Sequence, residues 1–248
     1  MRKVLGIVVS AGLASTAASA DFVSLSASRD AAIYESPDGS LANGAGRYLF
    51  AGKNNQNRAR RSLVRFDFAG AVPEGATITS VRLELNLSQG AGGASSVSLH
   101  RALAGWSAGA SDPEDPEGSG TVAGAGDATW LFSSADGNGG GAAWQNAGGD
   151  FAGAASATTL TSAVGVYAWS SELLLQDVLG FLADPAANHG WFILGDESTI
   201  GSARRFDSSE GGALGGIGPR LVIEYTQVPA PGAMALLTCL GFMHRRRR

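Results

Sequence analysis

Residues 62–87 constrain the fold most, because they contain two runs in which apolar and polar side chains alternate. In the first run Val64, Phe66 and Phe68 alternate with charged residues, and in the second a valine or leucine occupies every other position from 81 to 87. Successive side chains of a strand point to opposite faces, so each run predicts a strand with one apolar face in an antiparallel sheet. The connection is longer than a two-residue hairpin, which leaves open whether the strands pair or belong to different sheets.

Composition extends this prediction along the chain. Glycine accounts for 36 of the 248 residues, 44% of the residues are hydrophobic and only 16% are charged. A glycine-rich, charge-poor chain with short alternating runs is typical of an all-β protein with many turns. We therefore predict one domain over residues 21–226, an all-β, antiparallel, jelly-roll-like β-sandwich with one short helix.

Local patterns specify that helix and one central strand. Residues 171–183 carry apolar side chains at helical spacing, with Ser170 or Ser171 as the N-cap and Asp184 before a proline at the end. Residues 190–194 are a nearly continuous apolar run, which predicts a strand buried on both faces.

Residues 1–20 have the order of a secretory signal peptide: the basic residues Arg2 and Lys3, an apolar run, and small residues up to Ala20. We predict cleavage after Ala20. The apolar run is too short to span a membrane, which needs about 20 residues. The only cysteine, Cys239, lies near the other end, so the predicted domain contains no disulfide.

Residues 227–248 combine Pro229 and Pro231 with an apolar segment and a terminal cluster of Arg245, Arg246, Arg247 and Arg248. The arginines favour the cytoplasmic side of a membrane. This order resembles a PEP-CTERM sorting signal, which implies recognition by an exosortase-type sorting enzyme and transient membrane contact through the tail. The two ends together predict a secreted protein of the cell surface or extracellular matrix, held in the membrane until processing.

Between these ends 12 basic residues stand against 22 acidic ones, a net charge of −10 that argues against nucleic acid as a partner. Residues 53–61 are the most basic segment of this acidic part of the chain. Two interpretations remain open: a solvated loop, or a cationic patch whose arginine forks suit the carboxylate or sulfate groups of a polysaccharide. The predicted patch consists of Lys53, Arg58, Arg60 and Arg61, with Arg65 on the polar face of the following strand.

The chain lacks two motifs that would indicate catalysis or metal binding. It has no His-Glu-x-x-His and no phosphate-loop motif, and its histidines lack metal-ligand spacing. The carboxylates of residues 105–149, which include the stretch 112–120, could bind calcium (Ca2+), but their spacing matches no EF-hand or nonapeptide repeat, and a polar surface loop is the alternative. The pairs Asp196/Glu197 and Asp207/Glu210 are candidates for glycoside hydrolysis, which requires a spatial separation that sequence does not show. We predict neither enzyme activity nor a cofactor.

The order of motifs resembles that of a bacterial DNRLRE domain. The resembling segments are LVRFDF (63–68), GDATW (126–130), YAWSS (167–171), DPAANHGW (184–191), ARRFDSSE (203–210) and GPRLVIEY (218–225). One departure is Ser209, where the family commonly has an arginine. The resemblance implies a non-catalytic β-sandwich module of a bacterial surface protein, and some relatives are carbohydrate-binding modules attached to polysaccharide lyases.

These observations predict a non-catalytic secreted or cell-surface protein that binds or associates with extracellular polysaccharide. Two alternatives remain: a purely structural envelope or matrix protein without a ligand, and a polysaccharide-degrading enzyme. Likeness of fold does not decide among them. Glycan binding would separate the first function from the second, and turnover would identify the third.

Overall fold

A computed structural model describes residues 20–90 and 93–227, which form an all-β protein of antiparallel strands with two short α-helices. Residues 1–19 of the predicted signal peptide lie outside the described residues, as does the predicted sorting tail from residue 228 onward, with Pro229, Pro231 and the four terminal arginines. Within the described ranges, no helix is long and apolar enough to cross a membrane.

Fourteen strands occur in the described ranges: β1 (Ala20–Tyr34), β2 (Leu41–Asn43), β3 (Tyr48–Lys53), β4 (Ala59–Phe66), β5 (Thr77–Gly90), β6 (Ser95–Arg101), β7 (Thr121–Val122), β8 (Phe132–Ala135), β9 (Gly141–Ala143), β10 (Ala157–Thr161), β11 (Gly165–Trp169), β12 (Trp191–Leu194), β13 (Arg204–Asp207) and β14 (Arg220–Thr226). The helices are α1 (Glu172–Ala183) and α2 (Ser209–Ala213), with a 3-10 turn at Pro185–Ala187. The α1 helix was predicted and the five-residue α2 was not.

Twelve of these strands form two sheets, A and B, that share β1 and β3, and β8 and β9 form a separate two-stranded sheet. In sheet A, the first half of β1 pairs with β14, and β14 pairs with β5. Further along, β5 pairs with β11 on one edge and with β13 on the other, and β13 pairs with β3. Sheet B has the order β10-β6-β12-β4-β1-β2-β7. The predicted all-β sandwich is therefore confirmed.

The main core lies between the two sheets, and it explains why the two alternating runs do not pair. Strand β4 belongs to sheet B and contributes Val64 and Phe66, whereas β5 belongs to sheet A and contributes its four alternating apolar residues, Val81, Leu83, Leu85 and Leu87. The apolar faces of β4 and β5 pack against each other across the core, and the two strands do not pair within one sheet. The question that the sequence left open is resolved in favour of different sheets.

Helix α1 packs against this core as predicted. The Ser171 hydroxyl accepts a hydrogen bond from the backbone N–H of Leu174 at 3.0 Å, and the helix ends at Asp184. Leu174, Val178 and Phe181 are fully buried in the core. Burial of such a side chain contributes about 1.5–3 kcal/mol, so packing stabilises this helix more than its cap does.

A second apolar core lies on the outer face of sheet B. Strand β12 runs between β4 and β6, as expected for a central strand, and Trp191 faces the main core while Phe192 faces outward. The segment 102–151 covers Phe192 with Trp106 and Trp144, which are both buried. These two tryptophans fill a core, and they do not form an exposed platform for sugars.

Candidate functional site: an arginine-lined groove

The structure separates the five predicted binding cations into different environments. Lys53 is half-buried at the end of β3, and Arg58 is exposed in the turn before β4. Along β4, Arg60 points to one face, and Arg61 and Arg65 point to the other. Residues 53–61 are therefore a strand end, a turn and a strand start, and they form neither a solvated loop throughout nor one continuous patch.

Arg61 binds within the protein. Its guanidinium donates two hydrogen bonds to the Glu197 carboxylate, at 2.7 and 2.8 Å, and a third to the Gly148 carbonyl oxygen at 2.8 Å. The same group lies 4.7 Å from the ring centroid of Trp130 and 5.1 Å from that of Phe151. Arg61 thus joins sheet B to the segment that covers it.

Arg60 is also held internally, but it lies at the edge of a groove. Its side chain is 5% exposed, and its guanidinium lies 4.9 Å from the ring centroid of Tyr34. It donates to the carbonyl oxygens of Gly118 and Ala59, at 3.1 and 3.0 Å. Burial is the main cause that lowers the pKa of Arg60 from its ordinary value.

The groove that Arg60 lines is the candidate binding site. Its volume is about 330 Å³, at the lower end of the range of roughly 300–1,000 Å³ that is usual for small-ligand pockets. It forms where β3, the start of β4, the end of β5 and β13 meet three connecting segments. The lining residues are Phe50, Asn54, Asn55, Arg60, Gln89, Pro116, Gly118, Ser119, Gly201, Ala203, Arg204 and Arg205.

The groove is positively charged and rich in amides. Three arginines, two asparagines and a glutamine line it, and none of its lining residues is a carboxylate. The Arg205 guanidinium stacks on Tyr48, 3.8 Å from the ring centroid, and its Nε donates to Ser88 Oγ at 3.3 Å. Because stacking fixes the plane of Arg205, its fork is oriented before a ligand binds.

A buried carboxylate fixes one wall of the groove. Glu117 is 2% exposed and accepts hydrogen bonds from the backbone N–H groups of Arg47 and Tyr48, at 2.8 and 2.9 Å. Asn43 donates to the same carboxylate at 3.0 Å, and the Tyr34 hydroxyl donates to the Glu117 carbonyl oxygen at 2.9 Å. Glu117 belongs to the acidic stretch considered for calcium, and its carboxylate instead anchors this wall against β3.

The described ranges contain no group of three or more His, Cys, Asp or Glu side chains that could hold a metal ion. Two carboxylates of the segment 102–151 accept hydrogen bonds from nearby backbone instead. Asp127 accepts from Gly124 N at 2.6 Å, and Asp150 accepts from Asn146 N at 2.9 Å. These two residues therefore organise the long connection between β6 and β10.

Both carboxylates of the first candidate pair, Asp196 and Glu197, form hydrogen bonds within the protein. Glu197 binds Arg61, as described above. Asp196 accepts from the hydroxyl and backbone N–H of Ser198, at 2.6 and 2.8 Å. Hydrogen bonds, led by the one from the Ser198 hydroxyl, lower the pKa of Asp196 to about 2.

Of the second candidate pair, Asp207 and Glu210, the glutamate lies close to a buried acid, Asp30, that the sequence analysis did not identify. Asp207 accepts from Asn86 Nδ2 at 2.8 Å, whereas Glu210 lies next to Asp30 of β1. Asp30 is 3% exposed and accepts from the backbone N–H of Ser209 at 2.8 Å. Burial, and then the charge of Glu210, raise the pKa of Asp30 to about 7. Nothing in the sequence of β1 indicates that Glu210 will lie next to Asp30.

This raised pKa predicts a loss of stability as the pH rises. An aspartate in the unfolded chain has a pKa of about 3.9. The folded state therefore holds more protons between about pH 4 and about pH 7, and its stability decreases across that window. Asp30→Asn keeps an acceptor for Ser209, so it should flatten the decrease in urea unfolding, while exposed Asp21→Asn should not. A slope in Asp30→Asn equal to that of the wild type would contradict this assignment.

Comparison with protein-family models gave no match, and comparison with curated proteins gave none either. The resemblance to DNRLRE domains and to PEP-CTERM tails therefore rests on the motifs quoted above. The roles of the groove residues rest on their geometry.

Proposed function

We propose that this chain is a non-catalytic, secreted or cell-surface module of the DNRLRE type that binds extracellular polysaccharide in the groove. The observation that carries the proposal is the groove's lining of arginines and amides without a carboxylate, in a domain whose net charge is −10. Amides suit sugar hydroxyls, and arginine forks suit the carboxylates of uronates or sulfate esters. Lys53 and Arg58, which form no ion pair in the described ranges, extend the positive charge beside the groove.

The ends of the domain support display at a surface. Ala20 at the start of β1 is the register partner of Thr226 at the end of β14. Cleavage after Ala20 would leave Asp21 opposite Tyr225, with the pairing of the two strands otherwise intact. A tail that begins at residue 227 would leave from the same place, so an anchored tail would hold the groove-bearing domain without disturbing its sheets.

We expect mass spectrometry of protein from the native host to show an N-terminus at Asp21. An exosortase substrate should also have lost residues of the tail, or should remain in the membrane fraction until they are removed. Recovery of an intact chain that still begins at Met1 in the cytoplasm would contradict the proposed secretion.

A structural envelope protein without a ligand is the second candidate. It is favoured by the internal use of Arg61 and by a ladder of ion pairs on the outer face of sheet A. Arg82 binds Glu84 and Glu224, each at 2.9 Å, and Arg220 lies 3.4 Å from Glu84. Exposed pairs contribute only about 0–1 kcal/mol each, so this ladder defines a charged surface more than it stabilises the fold.

Glycan binding by the full-length protein tests the proposal. We expect retention on uronate-containing or sulfated polysaccharides that weakens as salt is added, because exposed charges are screened. The triple variant Asn55→Ala, Gln89→Ala and Arg205→Ala should lose this retention. Arg82→Ala, on the same face of sheet A but outside the groove, is the matched control and should keep it.

If the triple variant binds as well as the wild type, the groove is not the site. If the wild type binds no glycan, with or without calcium, the structural alternative is favoured instead. Release of reducing ends or unsaturated products from any bound polysaccharide would contradict the non-catalytic assignment.

A further inference from the structure

Arg29 and Arg65 lie directly opposite each other on neighbouring strands. They are register partners in the antiparallel β1–β4 pair, immediately after an irregularity in that pairing at Ser28. Partners in an antiparallel pair share one face of the sheet, with Cβ atoms about 4.5–5.5 Å apart, and like charges in this position are destabilising. Two arginines on the outer face of sheet B therefore repel each other.

Contacts of Arg29 with Trp106 partly compensate for this repulsion. It donates to the Trp106 carbonyl oxygen at 3.0 Å and lies 5.9 Å from the centroid of the Trp106 ring. Burial, and then the positive charge of Arg65, lower the pKa of Arg29. In the described ranges its guanidinium forms no ion pair, so no carboxylate neutralises it.

Arg65 has no such contacts. Its guanidinium forms no hydrogen bond, ion pair or ring contact with any residue that the structure describes, and its Nε is shielded from solvent without an acceptor. Exposed Arg58 also lacks a partner, but water can solvate it. A half-buried guanidinium without a protein partner costs free energy, and a bound anion would offset part of that cost by pairing with its charge.

Arg65 also forms part of the wall of a cavity of about 300 Å³ between the loop after β4 and the end of α1. Much of the remaining wall is apolar and is formed by Phe68, Val72, Phe181 and Leu182. Two polar side chains, Asp67 and Asn188, complete it, but Asp67 is exposed and accepts from Ala69 N, and Asn188 donates to the Phe66 carbonyl oxygen. Neither of them neutralises Arg65.

We propose that this cavity binds a small organic carboxylate, with the carboxylate on Arg65 and the apolar face of its body against Phe68, Val72 and Leu182. The anion would give the Arg65 guanidinium a counter-charge and would offset the repulsion between Arg29 and Arg65. An inorganic anion would supply charge but would leave the apolar wall unused. The cavity shares no lining residue with the groove, so this site does not depend on the proposed glycan binding.

Thermal unfolding of the full-length protein tests the proposal with four solutes at matched ionic strength: galacturonate, benzoate, galactose and sulfate. At least one of the two carboxylates should raise the Tm of the wild type, because a ligand that binds only the folded state stabilises it. The larger of the two increases identifies a sugar acid or an aryl acid as the better ligand. A Tm that neither carboxylate raises, or that sulfate or galactose raises equally, overturns the proposal.

Arg65→Met keeps the apolar part of the side chain and removes the fork, and it should weaken carboxylate binding about tenfold or more. Arg82→Met, which lies outside both the cavity and the groove, is the control and should bind as the wild type does. A titration of the wild type by NMR needs no variant, and the carboxylate should shift the Arg65 Nε–H resonance. An unmoved resonance, or wild-type affinity in Arg65→Met, would overturn the assignment.

Discussion

Asp127→Asn is expected to lower the free energy of unfolding by about 3–5 kcal/mol. Asp127 is fully buried, and its carboxylate accepts from the backbone N–H groups of Ala110, Ser111 and Gly124 and from the Ser111 hydroxyl. Asparagine has the same shape but replaces one accepting oxygen with an NH2 group, which would face donors. Urea unfolding followed by tryptophan fluorescence measures the loss.

The control is Asp136→Asn in the same segment. Asp136 also accepts from two backbone N–H groups, those of Asn138 and Gly140, but it is exposed. Water can replace these hydrogen bonds, so the expected loss is about 1 kcal/mol or less. Equal losses in the two variants would show that burial of Asp127 does not set its contribution.

Arg61→Ala is expected to lower the free energy of unfolding by about 2–4 kcal/mol. The substitution removes three hydrogen bonds and two ring contacts and leaves the Glu197 carboxylate, whose side chain is 26% exposed, without its cation. Hydrogen exchange should also show faster opening of the segment around Gly148, because Arg61 joins that segment to sheet B.

Arg58→Ala is the matched control for Arg61→Ala. Arg58 lies three residues earlier, is exposed and forms no side-chain hydrogen bond, ion pair or ring contact with the described residues, so the expected change is within about 0.5 kcal/mol. If both variants unfold at the wild-type midpoint, the contacts of Arg61 contribute nothing measurable, and its guanidinium would again be a candidate for an external anion.

Local sequence patterns were sufficient to predict several elements of the fold. The period-two runs around Phe66 and Leu85 became strands, the apolar run at residues 190–194 became a central strand, and Ser171 capped the helix. These features depend on side chains within a few residues of one another, so they are present in the sequence before any tertiary contact forms.

The candidate site was only partly predictable. Arg60 lines the groove, and Lys53 and Arg58 lie beside it, but Gln89 and Arg205 reach it from distant strands. The sequence contains no local signal for their meeting, because the pairing of β13 with both β3 and the end of β5 brings them together. The positive charge of residues 53–61 indicated where the groove would lie, but the pairing of the strands determines which residues line it.

The sequence by itself determined an all-β chain, its alternating faces and its capped helix, since these follow from local periodicity. Only the tertiary structure decided that the outer face of sheet B would be covered by the segment 102–151, which turned Arg61 from a solvent-facing cation into an internal contact. It also decided that an irregularity at Ser28 would place Arg29 opposite Arg65. Strand register and the covering of a sheet face depend on contacts between residues far apart in the chain, and alternation along one strand carries no information about them.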